Sequence, residues 1–266
     1  MGTLIKKQIQ SKHGKTVYRT NARPNRPCLV MLHGLTADHR LFEKQVAAFE
    51  QDFKLIVWDC PCHGESRPYA RFKYDYAVRE LAKILADEGV EKAVFIGQSL
   101  GGIIAQRYIE KHQKQALGFI SIDSVPCGDY YTKMDMLWLG QLRWMNHLFP
   151  DSMLRNSIAK VCGVTKYTQN SMKQMLASYN KNELCNLIWV GEAAFVQDNH
   201  EIKLHCPVAL LVGEYDKVGK VKEYNMAWHE RSGYPLHIIR HAAHNSNQDN
   251  PREVNALIRK YVGQWV

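Results

Sequence analysis

The chain has 266 residues, 45% of them hydrophobic, and a formal net charge of +9. A chain of this length can bury one large core, and the absence of an apolar leader or of a membrane-length apolar run leads us to expect neither export nor membrane insertion. The seven cysteines are an odd number and lack the regular spacing of a disulfide framework, which favours a reducing cytoplasmic location.

The N-terminal segment is the basic part of the chain. Seven Lys and Arg residues precede Asp38, the first acidic residue, and supply most of the net charge. We expect an antiparallel hairpin here, with strands near 4–10 and 15–20 and a turn at His13 and Gly14. Its charge predicts either a solvated sheet edge that resists aggregation or a weak contact with anionic surfaces. No motif or interleaved aromatic residues indicate a nucleic-acid partner.

Strands and helices alternate along most of the remaining chain. Short apolar runs predict buried parallel strands, and helical spacing of apolar residues predicts helices between them. The predicted strands lie near 28–33, 54–59, 93–98, 117–123, 207–213 and 236–240, and the predicted helices near 39–51, 74–88, 100–113, 219–231 and 251–263. Asp75 is expected to cap the second helix and Gly89 to end it. The pattern indicates an α/β fold with a mostly parallel eight-stranded sheet flanked by helices.

The most informative stretch is Gly97-Gln98-Ser99-Leu100-Gly101. It joins a predicted strand to a predicted helix, the context in which GxSxG forms a nucleophile elbow. The glycines are needed because a Cβ would clash in so tight a turn. Other chemistry-bearing residues follow other strands, namely His33-Gly34-Leu35, Asp123, Asp216 and His244. The carboxyl ends of parallel strands share one edge of a sheet, where ligands bind, so these residues can meet there.

These motifs, in the chain order Ser, Asp, His, resemble the α/β-hydrolase family. The resemblance covers nearly the whole chain apart from a variable segment near 126–200. It implies that Ser99 is the nucleophile, Asp216 the triad acid and His244 the general base. It also implies that the oxyanion hole consists of the backbone N–H groups of Leu35 and Leu100.

Two of these assignments have rivals. Asp123 also ends an apolar run, and some relatives carry the triad acid on that earlier strand. His241 competes with His244 for the role of base. Pro251 favours His244, because the family starts its last helix with a proline seven residues after the catalytic histidine.

A long segment between the sixth and seventh strands interrupts the alternation and is too long for a plain connection. The resemblance implies a helical cap inserted there over the nucleophile, so the predicted domains are a core of 1–125 and 204–266 and a cap of 126–203. Aromatic and Met side chains suit an apolar, adaptable pocket roof, although most are expected to pack the cap on the core. The candidate substrate-binding residues are Trp138, Met134 and Trp189.

The loop at 59–66 resembles the Asp-x-Pro-Gly-His-Gly-x-Ser loop of the family. The resemblance implies that Asp59, His63 and Ser66 fix this loop near the pocket. Cys62 stands where the family usually has Gly, which predicts a changed local path. A metal site of Cys60, Cys62 and His63 is the alternative, but no second ligand pair at zinc-like spacing accompanies it.

The sequence therefore predicts a serine hydrolase that cleaves a carboxylic ester of a small or medium apolar acyl group through an acyl-enzyme. Its partners are a small-molecule ester and water, with no cofactor, no metal and no nucleic acid. The same triad could serve a thioesterase, a lactonase, a carbon–carbon bond hydrolase or an aminopeptidase, in which Glu183 and Glu192 would hold the amine. A non-catalytic ligand receptor is a more distant alternative, and the oligomeric state is left open.

Overall fold

The computed structural model describes residues 4–137 and 148–266. Within them a single sheet has the strand order β1-β2-β4-β3-β5-β6-β7-β8. The strands are β1 (Ile5–Ser11), β2 (Gly14–Thr20), β3 (Cys28–Leu32), β4 (Lys54–Trp58), β5 (Ala93–Gln98), β6 (Ala116–Ile122), β7 (Val208–Gly213) and β8 (Leu236–Ile239). The β1–β2 and β2–β4 pairs are antiparallel and the other pairs are parallel. This is the expected mostly parallel sheet, with its basic hairpin at one edge.

Helices connect the strands and flank the sheet. They are α1 (Glu43–Phe49), α2 (Tyr74–Asp87), α3 (Leu100–Lys111), α4 (Asp151–Cys162), α5 (Lys166–Leu176), α6 (Lys181–Asp198), α7 (Val221–Ser232), α8 (Ser246–Asp249) and α9 (Pro251–Trp265). A short 3₁₀ helix, His39–Phe42, precedes α1, so the first predicted helix is divided in two. None of the helices described has the length and apolar character needed to cross a membrane.

One expected helix signal in α2 is wrong. Asp75 does not cap the helix, because its N-cap is Lys73, which makes no side-chain capping bond. The Asp75 carboxylate instead accepts a hydrogen bond of 2.7 Å from Lys111 on α3. Gly89 does follow the end of the helix, with a φ of +60° that a residue with a Cβ rarely adopts.

The core lies on both faces of the sheet, because side chains alternate along each strand. In β3, Val30 and Leu32 face one apolar cluster, whereas Leu29 and Met31 face the other. The second cluster continues into the segment between β6 and β7, with buried side chains that include Leu176 of α5. Three helices, α4 to α6, thus lie where a cap was expected, and the division into core and cap domains stays a prediction.

Much of the charge on the N-terminal hairpin is paired within the molecule. Lys6 Nζ lies 2.8 Å from Glu65 Oε1, and Lys7 Nζ lies 2.7 Å from Glu88 Oε1. Arg19 pairs with Glu65 as well. These ion pairs favour the interpretation of the hairpin as a solvated sheet edge over its interpretation as a contact site for anionic surfaces.

Candidate active site

The turn between β5 and α3 presents the Ser99 side chain. Ser99 has φ +50° and ψ −120°, a strained conformation for a residue with a Cβ. The turn leaves no room for a Cβ at two positions, and both are occupied by glycine. A Cβ on Gly97 would lie 2.5 Å from Gly102 Cα, and one on Gly101 would lie 1.9 Å from the carbonyl oxygen of Leu32. The Ser99 side chain caps nothing in α3, so its hydroxyl is available for other contacts.

A chain of hydrogen bonds links the three residues that the sequence singled out. The Ser99 hydroxyl lies 3.0 Å from Nε2 of His244. Nδ1 of the same ring lies 2.9 Å from Oδ2 of Asp216. With Nδ1–H donating to the carboxylate, Nε2 is left as the acceptor that can take the serine proton. The arrangement can generate an alkoxide nucleophile at Ser99.

The electrostatics around His244 favour holding a proton there. Burial lowers the pKa of His244, but the charge and hydrogen bond of Asp216 raise it, as do the charges of Asp123 and Glu192, and the net pKa is raised. The second oxygen of Asp216 accepts the N–H of Val218 at 2.9 Å, which fixes the orientation of the carboxylate. The ring can therefore receive the serine proton and keep it while an intermediate forms.

The rival acid and the rival base have other positions. The Asp123 carboxylate accepts the N–H groups of Gly213 at 2.7 Å and Ser246 at 2.9 Å, and so joins two neighbouring loops. Burial raises the pKa of Asp123, and the nearby charge of Asp216 adds to this effect. His241 is exposed, and its backbone N–H donates to Glu214. Neither rival contacts the Ser99 hydroxyl in place of His244.

Side chains from other elements hold the His244 loop against the serine turn. Gln98, next to Ser99, donates from Nε2 to the carbonyl oxygen of His244 at 2.8 Å. Asp249 accepts the N–H of Ala243 at 3.0 Å, and the N–H of Asn245 donates to Cys162 of α4 at 2.7 Å. The histidine is thus positioned jointly by β5, α4 and α8.

Two backbone N–H groups are free for an oxyanion. Within the described chain, the N–H groups of Leu35 and Leu100 donate to no other protein group, and both residues line the cavity at Ser99. Gly34 lets the chain pass close to the serine turn, since a Cβ there would lie 2.2 Å from Gln98 Oε1. The assignment of these two N–H groups to an oxyanion hole stays a prediction.

His33 fixes the path of the Leu35 loop. Burial lowers its pKa, so the ring is neutral. Its Nε2 accepts the N–H of Cys60 at 2.9 Å, which leaves Nδ1–H to donate to the carbonyl oxygen of Gly34 at 2.8 Å. The tautomer of His33 is therefore fixed by the two backbone groups that contact its ring nitrogens.

A cavity of about 370 Å³ opens at Ser99. Its walls are largely apolar and come from both sides of the sheet edge and from α6. The lining residues are Leu35, Tyr74, Ser99, Leu100, Ile103, Asp123, Ser124, Val125, Tyr131, Gly191, Glu192, Phe195, Val218, Gly219, Lys220, Val221, Tyr224 and His244. Its size and lining suit a small organic molecule with an apolar part.

The three candidate substrate-binding residues are not among those that line this cavity. Trp138 lies outside the described residues. The Met134 side chain is 60% exposed and does not line the cavity. Trp189 lies on α6, but the residues of that helix that line the cavity are Gly191, Glu192 and Phe195. Aromatic content alone did not distinguish them from their neighbours on the helix.

The loop at 59–66 is held by its own polar groups. Asp59 accepts His39 Nδ1–H at 2.8 Å and the N–H of Glu65 at 2.9 Å. Burial raises the pKa of Asp59, but these hydrogen bonds outweigh that effect and the net pKa is lowered. The Ser66 hydroxyl donates to the Asp59 carbonyl oxygen at 2.6 Å. Cys62 keeps the left-handed backbone typical of glycine, with φ +71°.

The donor atoms of Cys60, Cys62 and His63 are not gathered as a metal site would require. In the described parts of the chain, the group of possible ligand atoms within 4.8 Å of one another is Asp38, His39 and Asp59. Hydrogen bonds explain that group, because Asp38 binds Arg40 and Asp59 binds His39. All seven cysteines are free thiols.

Comparison with known proteins agrees with this architecture. A family model described as alpha/beta hydrolase fold matches residues 27–161. The 2-succinyl-6-hydroxy-2,4-cyclohexadiene-1-carboxylate synthase of Pectobacterium atrosepticum is 34% identical over 91% of this chain and 96% of that protein. The 3-oxoadipate enol-lactonase 1 of Acinetobacter baylyi is 31% identical over 98 residues, 36% of this chain and only 37% of that protein.

A solved structure shows the same fold. A hydrolase from Pseudomonas aeruginosa PA01 superimposes with a TM-score of 0.81 over 97% of this chain and 98% of that chain, at 18% identity. The family model covers half of this chain, and the synthase matches nearly all of it. The chain therefore belongs to the α/β-hydrolase family of enzymes.

Proposed function

We propose that this enzyme hydrolyses a carboxylic ester with a small or medium apolar acyl group, through an acyl-enzyme on Ser99. The observation that carries the proposal is the hydrogen-bonded chain Ser99–His244–Asp216, opening into a mostly apolar cavity. The membership of the family supports it, and so does the free pair of N–H groups at Leu35 and Leu100.

The proposed reaction follows from the positions of these groups. His244 Nε2 takes the Ser99 proton as the oxygen attacks the ester carbonyl. The N–H groups of Leu35 and Leu100 stabilise the oxyanion, each donor typically contributing about 10²–10³ in rate. His244 then gives its proton to the departing alcohol, and Asp216 stabilises the imidazolium between these steps. A water molecule, deprotonated by the same ring, hydrolyses the acyl-enzyme and frees Ser99.

The charges in the cavity favour a neutral acyl group over an anionic one. Among the described lining residues, the cation other than a protonated His244 is Lys220, whose Nζ lies 2.7 Å from Asp135 Oδ1. Glu192 adds a carboxyl group to the same cavity. A substrate carboxylate would meet this group without an unpaired cation to offset it.

A second candidate function comes from the similarity to the synthase of Pectobacterium atrosepticum. That protein is named for a product with a succinyl group and a ring carboxylate, so the same triad could act on a compound that carries two carboxylates. The paired state of Lys220 argues against it, because two carboxylates would need cations to hold them.

The first test is the reactivity of Ser99. A fluorophosphonate probe should label the wild-type protein and fail to label Ser99→Ala, and kcat for a p-nitrophenyl ester should fall by up to about 10⁶ in that variant. Ser232→Ala is the matched control, because this serine binds the Trp228 carbonyl oxygen at the end of α7, outside the cavity. Labelling of Ser99→Ala at the wild-type level would contradict the covalent mechanism.

The second test identifies the bond that is cleaved. Matched butanoyl esters, thioesters, lactones and amino-acid amides should be compared by kcat/KM. We expect the ester to be the best substrate of the series. A higher value for the thioester, lactone or amide would reassign the enzyme within the same mechanism, whereas no labelling and no turnover would favour a non-catalytic receptor.

A further inference from the structure

Among the described residues that line the cavity at Ser99, two polar groups have neither a hydrogen-bond partner nor a part in the proposed reaction. They are the Glu192 carboxyl group and the Tyr74 hydroxyl group. No hydrogen bond within the described residues satisfies either of them. The other polar side chains that line the cavity beside the reacting groups have partners, as in Lys220 with Asp135 and Ser124 with the Ser99 carbonyl oxygen.

The position of Glu192 places it on the substrate side of the site. Gly191, its neighbour on α6, packs so closely on Leu35 that a Cβ would lie 2.8 Å from Leu35 Cδ1. The helix is thus held against the residue that offers an oxyanion N–H, and Glu192 faces the cavity beside it. His244 and Tyr74 line the same cavity as Glu192.

An unpartnered carboxyl group among apolar walls is costly. Burial raises the pKa of Glu192 to about 7, although the nearby His244 charge opposes this rise. The Glu192 side chain is half-buried, and part of the free energy lost by removing it from water is recovered when a donor reaches it. Ile103 and Phe195, which line the same cavity, are apolar, and no donor within the described residues is hydrogen-bonded to this carboxyl group. A bound substrate can supply it.

We propose that Glu192 and the Tyr74 hydroxyl form a polar subsite that binds a hydrogen-bond donor, a hydroxyl or an ammonium group, on the substrate attacked by Ser99. The inference rests on the proposed function, which it narrows from apolar esters to esters that also carry one donor. The apolar walls bind the hydrocarbon part of the substrate, and this subsite sets the orientation of the donor.

The competing explanation is that Glu192 only adjusts the basicity of His244. In that case its removal would change the hydrolysis of every ester by the same factor. A binding role predicts instead that the loss depends on the substituent of the substrate. Substrates matched in size therefore distinguish the two roles.

The experiment uses ethyl butanoates that carry a methyl, hydroxyl or ammonium group at carbon 2 or carbon 3, together with the butanoates of propanol and of ethylene glycol. We expect the wild-type kcat/KM for at least one donor ester to exceed that of its methyl match by about tenfold or more, the usual discrimination for one buried hydrogen bond. Glu192→Leu should reduce that donor ester to the level of its methyl match. The methyl ester should change by only a few-fold.

Glu192→Gln separates the two donors. Its amide oxygen still accepts a bond from a hydroxyl but carries no charge, so preference for the ammonium ester should fall more than preference for the hydroxyl ester. Equal losses for all esters in Glu192→Leu, or no donor preference in the wild type, would overturn the proposal.

A binding measurement keeps this outcome separate from that of the proposed function. On the Ser99→Ala protein, which cannot form an acyl-enzyme, calorimetry with the same esters should show the same preference for donors. Adding Glu192→Leu should remove it. If donor esters bind Ser99→Ala no better than methyl esters, the subsite is disproved whatever the catalytic result. Conversely, donor preference in binding without fluorophosphonate labelling of the wild type would retain the subsite and reject the esterase.

Discussion

At the scale of single residues, two buried aspartates near His244 have different partners. Asp216 contacts the imidazole, whereas Asp123 accepts two backbone N–H groups from neighbouring loops. The same chemical group thus contacts an imidazole at one position and joins two loops at the other. Distance to the ring, more than burial, decides which of them can orient it.

The first prediction compares Asp216→Asn with Asp123→Asn. Asp216→Asn should lower kcat by about 10⁴, because an amide no longer selects the required tautomer or stabilises the imidazolium. Asp123→Asn should lower it less, and its main effect should be a loss of about 1–3 kcal/mol in the free energy of unfolding, because one backbone N–H loses its acceptor. The opposite ranking in kcat would identify Asp123 as the acid.

The pH dependence of kcat/KM is a second measurement that compares Asp216 with Asp123. Burial lowers the pKa of His244 and the surrounding carboxylates raise it, with a net rise above the ordinary value near 6.5. Since the neutral ring is the base, kcat/KM should increase as the pH rises through that raised pKa. Removing the charge of Asp216 should move this acid limb to lower pH, and by more than removing the more distant charge of Asp123.

At the scale of elements, the loop after β4 has a strained residue at Cys62. Cys62 has φ +71° where the family usually has Gly, and its N–H donates to the Ser66 carbonyl oxygen at 3.2 Å. The hydrogen bonds of Asp59 and Ser66 hold the loop on both sides of this residue. The loop therefore stores backbone strain.

That strain can be measured by comparing Cys62→Gly with Cys62→Ala. Both variants lose the thiol, but only glycine relieves the left-handed backbone. We expect Cys62→Gly to be more stable than Cys62→Ala by about 1 kcal/mol in urea denaturation. Equal stability, or a more stable alanine variant, would show that the loop is relaxed at this position.

The sequence predicted the elements well where a local signal controls them. Buried strands such as β5 and β7 were placed to within a residue or two, because each is a continuous apolar run that ends at a turn. Ser99, Asp216 and His244 meet at one edge because parallel strands all end there. The convergence of distant residues thus followed from topology.

The remaining features depend on contacts that a single sequence does not display. Asp75 failed as a cap because the helix begins before it, at Tyr74, and its carboxylate pairs with Lys111 on another helix. Trp189 does not line the cavity, whereas Gly191 of the same helix lines it and packs on Leu35, a contact between distant parts of the chain. Side-chain orientation on an inserted helix is a property of docking, and local spacing leaves it undetermined.

At the scale of the whole molecule, the inserted helices share a core with the sheet. Leu176 of α5 is fully buried in the same apolar cluster as Met31 of β3 and Ile258 of α9. Hydrogen bonds also join the segments, since the backbone N–H groups of Val164 and Thr165 both donate to the Asp249 carboxylate at 2.9 Å. Because this segment shares buried apolar surface with the sheet, we expect the two parts of the chain to unfold together.

The last prediction follows from this shared core. Leu176→Ala should lower the free energy of unfolding by about 2–5 kcal/mol, because it leaves a cavity in the apolar cluster that α5 shares with the sheet. Far-UV circular dichroism, tryptophan fluorescence and esterase activity should then be lost together in one transition at lower denaturant concentration. Val161→Ala is the control, since Val161 lies on α4 but is exposed. An earlier loss of fluorescence and activity, with the circular dichroism of the sheet retained, would show instead that residues 126–203 unfold as a separate domain.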